Sequence, residues 1–306
     1  MKTCFLFPGQ GAQYPGMGRD FYDTSKAVRE LFELASDSAK MDLKALVFQG
    51  SEDDLKQTRN TQIAVALVGS AAALCAREHG IQPQGVAGFS VGEWPALAEA
   101  GVVSHADMFR LVGERGRLMD EAGKRSGGST MSAVLFMSPE AIEKTISDAG
   151  LKQVWIANYN SPTQSVISGT EADISAAELA LKAAGAKRVV RLKVSGAFHS
   201  PIMAYARDGF AELVSEVSFA DPKLELFSNV TGKLLSKGAE AKELAVRQIV
   251  SPVRWIEEEK SIIAAGYGQA VETGPGLVLG GLWKAVAGDL PCHPCGTLDQ
   301  VASISL

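Results

Sequence analysis

Ser90 is the residue of this chain whose setting suits a nucleophile best. It lies in Gly88-Phe89-Ser90-Val91-Gly92, after the short apolar run Gly85 to Gly88 and before a helical pattern from Val91 to Ala100. That is the strand–turn–helix context of a nucleophile elbow. The sharp turn exposes the hydroxyl, and the helix N-terminus offers free amide hydrogens to a developing oxyanion. A capping serine in a glycine-rich turn would leave the same pattern. A serine nucleophile needs a base, and the four histidines differ in setting. His79 precedes Gly80 at a helix end, where an imidazolium complements the dipole. His105, in a first helical turn, and His293, in a Pro/Cys loop, read as solvated. His199 follows the apolar Gly196-Ala197-Phe198 and precedes Ser200-Pro201, an N-cap and N1 pair. A helix N-terminus beside the ring disfavours its cation, which suits a neutral base; a core histidine satisfied by its neighbours would read alike.

Arg115 stands out by periodicity. On a helix from Ser104 to Ala122 the apolar stripe is Met108, Leu111, Val112, Leu118, Met119 and Ala122, and Arg115 falls in its middle. A buried guanidinium requires a partner. That partner is either a carboxylate of the protein, such as Glu93 or Asp120, or the carboxylate of a substrate, which arginine's fork grips in bidentate fashion. Gly9-Gln10-Gly11 lacks the third glycine of a dinucleotide loop, since Tyr14 stands there. It offers backbone amides beside a strand end, suited to a second oxyanion donor.

These residues require an α/β scaffold. A strand from Thr3 to Phe7, the apolar helix from Thr61 to Ala76, the strand Gly85–Gly88 and the helix beyond Ser90 alternate in that sense. After Lys124-Arg125-Ser126-Gly127-Gly128 the rhythm changes to βαββαβ, ending before Ser195-Gly196. This is the order of a ferredoxin-like unit. The expected fold is therefore a large α/β-hydrolase-like domain with a parallel sheet core, residues 1–126 and 196–306, carrying a ferredoxin-like subdomain at 127–195. Lys+Arg is 30 against Asp+Glu 35, a net charge of −5, which argues against nucleic acid. The Thr61–Ala76 stretch is shorter than a membrane span, and no signal-peptide pattern opens the chain, so no membrane partner and a cytoplasmic location are expected. Cys292-His293-Pro294-Cys295 has half the spacing of a zinc site with no second pair nearby. It reads as a reduced C-terminal loop, and no metal is expected.

The chain resembles the malonyl-CoA:acyl-carrier-protein transacylases of fatty-acid and polyketide synthesis. The resemblance rests on Phe7 to Gln13, Gly88 to Glu93, Asn158 to Pro162, Ala197 to Ser200, Pro252 to Trp255 and Glu272 to Gly276, in this order and over essentially the full length. It implies a two-subdomain fold, Ser90 as nucleophile, His199 as base, Arg115 as the clamp on the malonyl carboxylate, and the amides of Gln10 and Val91 as oxyanion hole. It further implies that backbone carbonyls near Ser251 orient the histidine, and it puts Gln62 at the active site. Two positions depart from the family pattern: Phe89, where histidine is usual, and Ser251, where asparagine is common. Malonyl-CoA and acyl carrier protein are the implied partners, with coenzyme A as substrate, no bound cofactor and a monomeric chain. Lys187, Arg188, Arg191, Lys193 and Arg125 are candidates for a basic surface facing the acidic carrier. A serine hydrolase and a catalytically silent carrier-binding module are the alternatives.

Overall fold

The computed structural model describes residues 1–304. Its strands are β1 (Thr3–Phe7), β2 (Gly85–Gly88), β3 (Ser129–Leu135), β4 (Val154–Ser161), β5 (Gln164–Thr170), β6 (Arg188–Arg191), β7 (Glu225–Phe227), β8 (Leu234–Leu235), β9 (Gln269–Thr273) and β10 (Cys292–Cys295). The chain is α/β, with a six-stranded sheet in the order β10-β9-β1-β2-β7-β8 and a four-stranded sheet in the order β4-β5-β3-β6. In the first sheet β10, β9, β1, β2 and β7 run parallel. All residues of β1, β2 and β9 are buried, as expected of strands covered on both faces by helices. The edge strand β8 pairs antiparallel with β7, so the sheet is mixed: a parallel core, as expected, with one antiparallel strand added at its edge. The connection between them is too short for a crossover and closes as a hairpin.

The apolar stretch after Thr61 forms the interior of a helix, Thr58–Glu78, that is buried at nearly every position. It packs against the helix His105–Arg125, which begins at the N-cap Ser104; the serine side chain accepts from Asp107 N–H. The second sheet is antiparallel throughout. Between its strands run the helices Pro139–Asp148 and Glu171–Ala183. It encloses its own core, including Val134, Ile142, Ile156, Ile167, Ile174 and Leu181. Two of its junctions with the rest are close backbone approaches. Val253 and β4 exchange backbone hydrogen bonds, Tyr159 N–H to Val253 O at 2.9 Å and Val253 N–H to Ala157 O at 2.8 Å. At the other junction, a Cβ on Gly123 would lie 2.0 Å from Ser195 O, so only glycine lets those backbones cross.

Cys292–Cys295, expected as a loop, is the edge strand β10, paired in register with β9. An edge tolerates Pro294, whose missing N–H faces away from the ladder. No cluster of side chains able to hold a metal occurs among the described residues. Short helices at Arg19–Thr24, Leu43–Gln49, Glu52–Lys56 and Leu298–Ser303 are too brief to show a helical period in sequence. Among the described residues no helix is long and apolar enough to cross a membrane.

Candidate active site

The turn after β2 places Ser90 at the top of the main sheet. Its backbone is left-handed, with φ 53°, and it opens a short 3-10 turn, Ser90–Gly92, that leads into the helix Glu93–Glu99. The flanking glycines are required by contact: a Cβ on Gly88 would sit 2.0 Å from Gly92 O, and one on Gly92 would sit 2.1 Å from Phe7 O. The turn is thereby pressed against the end of β1, and Phe89 N–H bonds Phe7 O at 2.9 Å.

Ser90 Oγ lies 2.7 Å from His199 Nε2. On the other side of the ring, Nδ1 faces two carbonyls, Gln248 O at 3.0 Å and Ser251 O at 3.1 Å. Carbonyls only accept, so Nδ1 carries the proton and Nε2 presents a lone pair to the serine hydroxyl. Burial pushes the imidazole down to about 4, and the Arg115 cation acts in the same direction. His199 is therefore neutral at neutral pH, the state in which it can accept a proton. Ser251 takes part through its backbone carbonyl, which another side chain at that position would also present.

Arg115 is fully buried. It donates from one terminal nitrogen to Gln62 Oε1 at 2.6 Å and from the other to Gln248 Oε1 at 2.9 Å, while its Nε has no partner among the described residues. Burial lowers its pKa to about 10, so it remains a cation at neutral pH. Neither proposed carboxylate partner bonds it directly. Asp120 pairs with Lys124, and Glu93 reaches it through the Gln248 amide. The result is a buried positive charge held by neutral amides, an arrangement open to an incoming anion. Gln10, Gln62, Phe89, Val91, Arg115 and His199 line one cavity with Ser90, closed on its apolar side by Met119, Leu279 and Leu282. Phe89 packs edge-on against Trp255, ring centroids 5.4 Å apart, so the departure at position 89 adds apolar wall.

The remaining histidines stand apart from this cavity. His79 caps the end of its helix, with Nδ1 on Cys75 O at 2.8 Å. His105, read as solvated, is half-buried, and burial lowers its pKa. His293, also read as solvated, is half-buried on β10. Arg191 of the basic group is engaged by Glu171 and Glu178, and Arg125 stacks on Tyr205. Three buried residues escaped sequence reasoning: Asn229, Gln248 and Glu258. Asn229 accepts from Ser90 N–H at 2.7 Å, and Gln248 bonds Ser90 O at 3.1 Å. For Asn229 and Gln248 the one sequence signal is an amide close to apolar residues, which points to no particular partner; Glu258 stands between Glu257 and Glu259 and gives no signal.

Fold and site define an acyltransferase. The chain belongs to the family described as Acyl transferase domain, whose sequence profile matches residues 4–282. Among its relatives, the malonyl CoA-acyl carrier protein transacylase of Bacillus subtilis (strain 168) is 38% identical over 288 residues, covering 93% of this chain and 90% of the relative. The enzyme of the same name from Escherichia coli (strain K12) is 37% identical over 292 residues, 94% of each chain. Among solved structures, the Synechocystis sp. PCC 6803 malonyl-CoA:ACP transacylase superposes with a TM-score of 0.92 at 36% identity, over 99% of this chain and all of the other. A malonyl-transacylase in complex with a type II PKS acyl-carrier protein gives 0.94 at 35% identity, over 99% of this chain and 98% of the other.

Proposed function

We propose that the protein moves the malonyl group of malonyl-CoA to the phosphopantetheine thiol of an acyl carrier protein, through an ester on Ser90. The observation that carries this is one cavity holding both the 2.7 Å Ser90–His199 pair and a buried Arg115 bonded, among the described residues, only to neutral amides. Relatives in sequence and in structure carry malonyl transfer in their names.

His199 Nε2 takes the Ser90 proton as Oγ attacks the thioester carbonyl, and the amides of Gln10 and Val91 receive the negative oxygen. The imidazolium then protonates the departing coenzyme A sulfur. In the second half the carrier thiol gives its proton to His199, its sulfur attacks the acyl ester, and Ser90 Oγ leaves with the proton returned. Arg115 grips the malonyl carboxylate and Gln62 orients the guanidinium. Malonyl-CoA and the carrier thiol are both substrates, so the reading requires no resident cofactor or metal. It divides the chain into a catalytic unit, 1–126 and 196–306, and a ferredoxin-like insertion, 127–195, supported by the strand order β4-β5-β3-β6 and the separate core.

Intact mass after mixing with malonyl-CoA tests the reading. A malonyl adduct is expected on the wild type and absent from Ser90→Ala. Added carrier protein should clear the adduct much faster than water does; absence of an adduct, or clearance by water alone, would overturn it.

A further inference from the structure

The nucleophile turn holds a non-glycine residue in the left-handed region, a conformation costing about 1 kcal/mol or more unless the surroundings enforce it. One side chain spans the turn. Asn229, fully buried at the end of β7, accepts through Oδ1 from Ser90 N–H at 2.7 Å. Through Nδ2 it donates to Gly88 O at 2.6 Å and to Glu258 at 2.8 Å. Gly88 O and Ser90 N–H, which flank Phe89 at the entry to the turn, are thus tied by a single carboxamide. The residue is itself anchored: its N–H donates to Glu93 at 3.0 Å, and Arg254 N–H donates to its carbonyl at 2.8 Å.

A carboxamide meets both of the demands made here at neutral pH. Ser90 N–H needs an acceptor and Gly88 O needs a donor; a carboxylate supplies only the first and an aliphatic side chain neither. The link also reaches the base. Gln248 Nε2 approaches Asn229 Oδ1 at 3.3 Å and bonds Ser90 O at 3.1 Å, while Gln248 O holds His199 Nδ1. Nucleophile and base are therefore referred to the same buried pair of amides.

We propose that Asn229 is a positioning residue of the acyl transfer, setting the Ser90 hydroxyl against His199 by bridging Ser90 N–H and Gly88 O. The inference rests on Ser90 being the nucleophile, and the wild-type adduct with malonyl-CoA checks that separately. If the wild type forms no adduct, the function fails; if it does and the variants match it, only the positioning role fails.

The test compares Asn229→Ser and Asn229→Asp in the full chain, measuring the rate of Ser90 acylation by quenched-flow intact mass, the KM for malonyl-CoA, and the thermal melt. Both variants are expected to lose about 10- to 100-fold in acylation rate, with KM little changed. Asn229→Ser should show that loss at every pH. Asn229→Asp should recover as pH falls from neutral to mildly acidic, because a proton restores the donor toward Gly88 O. Its carboxyl would face Glu93 from the helix after the nucleophile turn and Glu258 from the helix Trp255–Ala264, with His199 and the Arg115 cation nearby. Burial and these two acids favour the protonated form and Arg115 opposes it. Wild-type acylation by either folded variant overturns the proposal, as does a rate loss that merely tracks the unfolded fraction, or an Asn229→Asp profile parallel to that of Asn229→Ser.

Discussion

On the proposed reading, Arg115 decides what the site selects. Its two terminal nitrogens already donate to Gln62 and Gln248, so the guanidinium plane is set before substrate arrives and little order is lost on binding. A malonyl carboxylate bound there would gain charge-assisted hydrogen bonds that an acetyl group cannot make. Replacing Arg115 by Ala should therefore lower malonyl transfer by about 100-fold or more and acetyl transfer far less. Steady-state kinetics with both thioesters, beside a melting curve to confirm folding, check this; equal loss of both would reject the clamp. His199 works from the opposite electrostatic logic. The burial and the neighbouring cation that keep its ring neutral also keep it a base at neutral pH.

At the scale of elements, the site exists because backbone segments cross at distances only glycine allows. Gly92 lies against the end of β1, where a Cβ would stand 2.1 Å from Phe7 O and 2.7 Å from Pro8 O. Gly92→Ala should cost roughly 3 kcal/mol or more in stability and abolish acylation, read by denaturant unfolding and adduct mass. Gly281 is the contrast. It sits exposed within the helix Val278–Ala287 with nothing near its would-be Cβ, so Gly281→Ala should be neutral or stabilising by up to about 1 kcal/mol. Both glycines are plain in the sequence. Gly92 belongs to a recognisable strand–turn–helix motif, whereas the close approach of Gly123 to Ser195 depends on segments far apart in the chain and left no local signal.

At the scale of the whole molecule, buried acids are expected to shape the response of stability to pH. Glu259 is fully buried, and neither carboxyl oxygen has a hydrogen-bond partner among the described residues. Burial pushes its pKa up to about 8, and burial likewise raises Glu93 to about 7. A carboxyl whose folded value exceeds its unfolded value favours the native state at low pH. That advantage is lost as pH rises from the ordinary carboxylate range through the folded value. Glu259→Gln should consequently raise Tm by about 2–4 °C or more at pH above 8, and by less in mild acid, as thermal melts across pH will show. An equal gain at all pH values would mean that ionisation is not the cause.

What the sequence by itself determined is local. The strand before Ser90 and the helix after it follow from hydrophobic period and glycine spacing, and Arg115 declared itself by falling in an apolar stripe that periodicity alone turns inward. The tertiary structure decided what meets what. Ser90 and His199 are 109 positions apart, Arg115 and Gln248 are 133 apart, and Asn229 reaches the nucleophile across 139. No periodicity spans such separations. A buried amide is legible as a polar residue among apolar ones, but its partner is chosen only when sheet order and helix packing bring the segments within hydrogen-bond range. The mixed sheet and the strand at Cys292–Cys295 have the same origin, since a short segment becomes a strand only when a neighbour offers its edge.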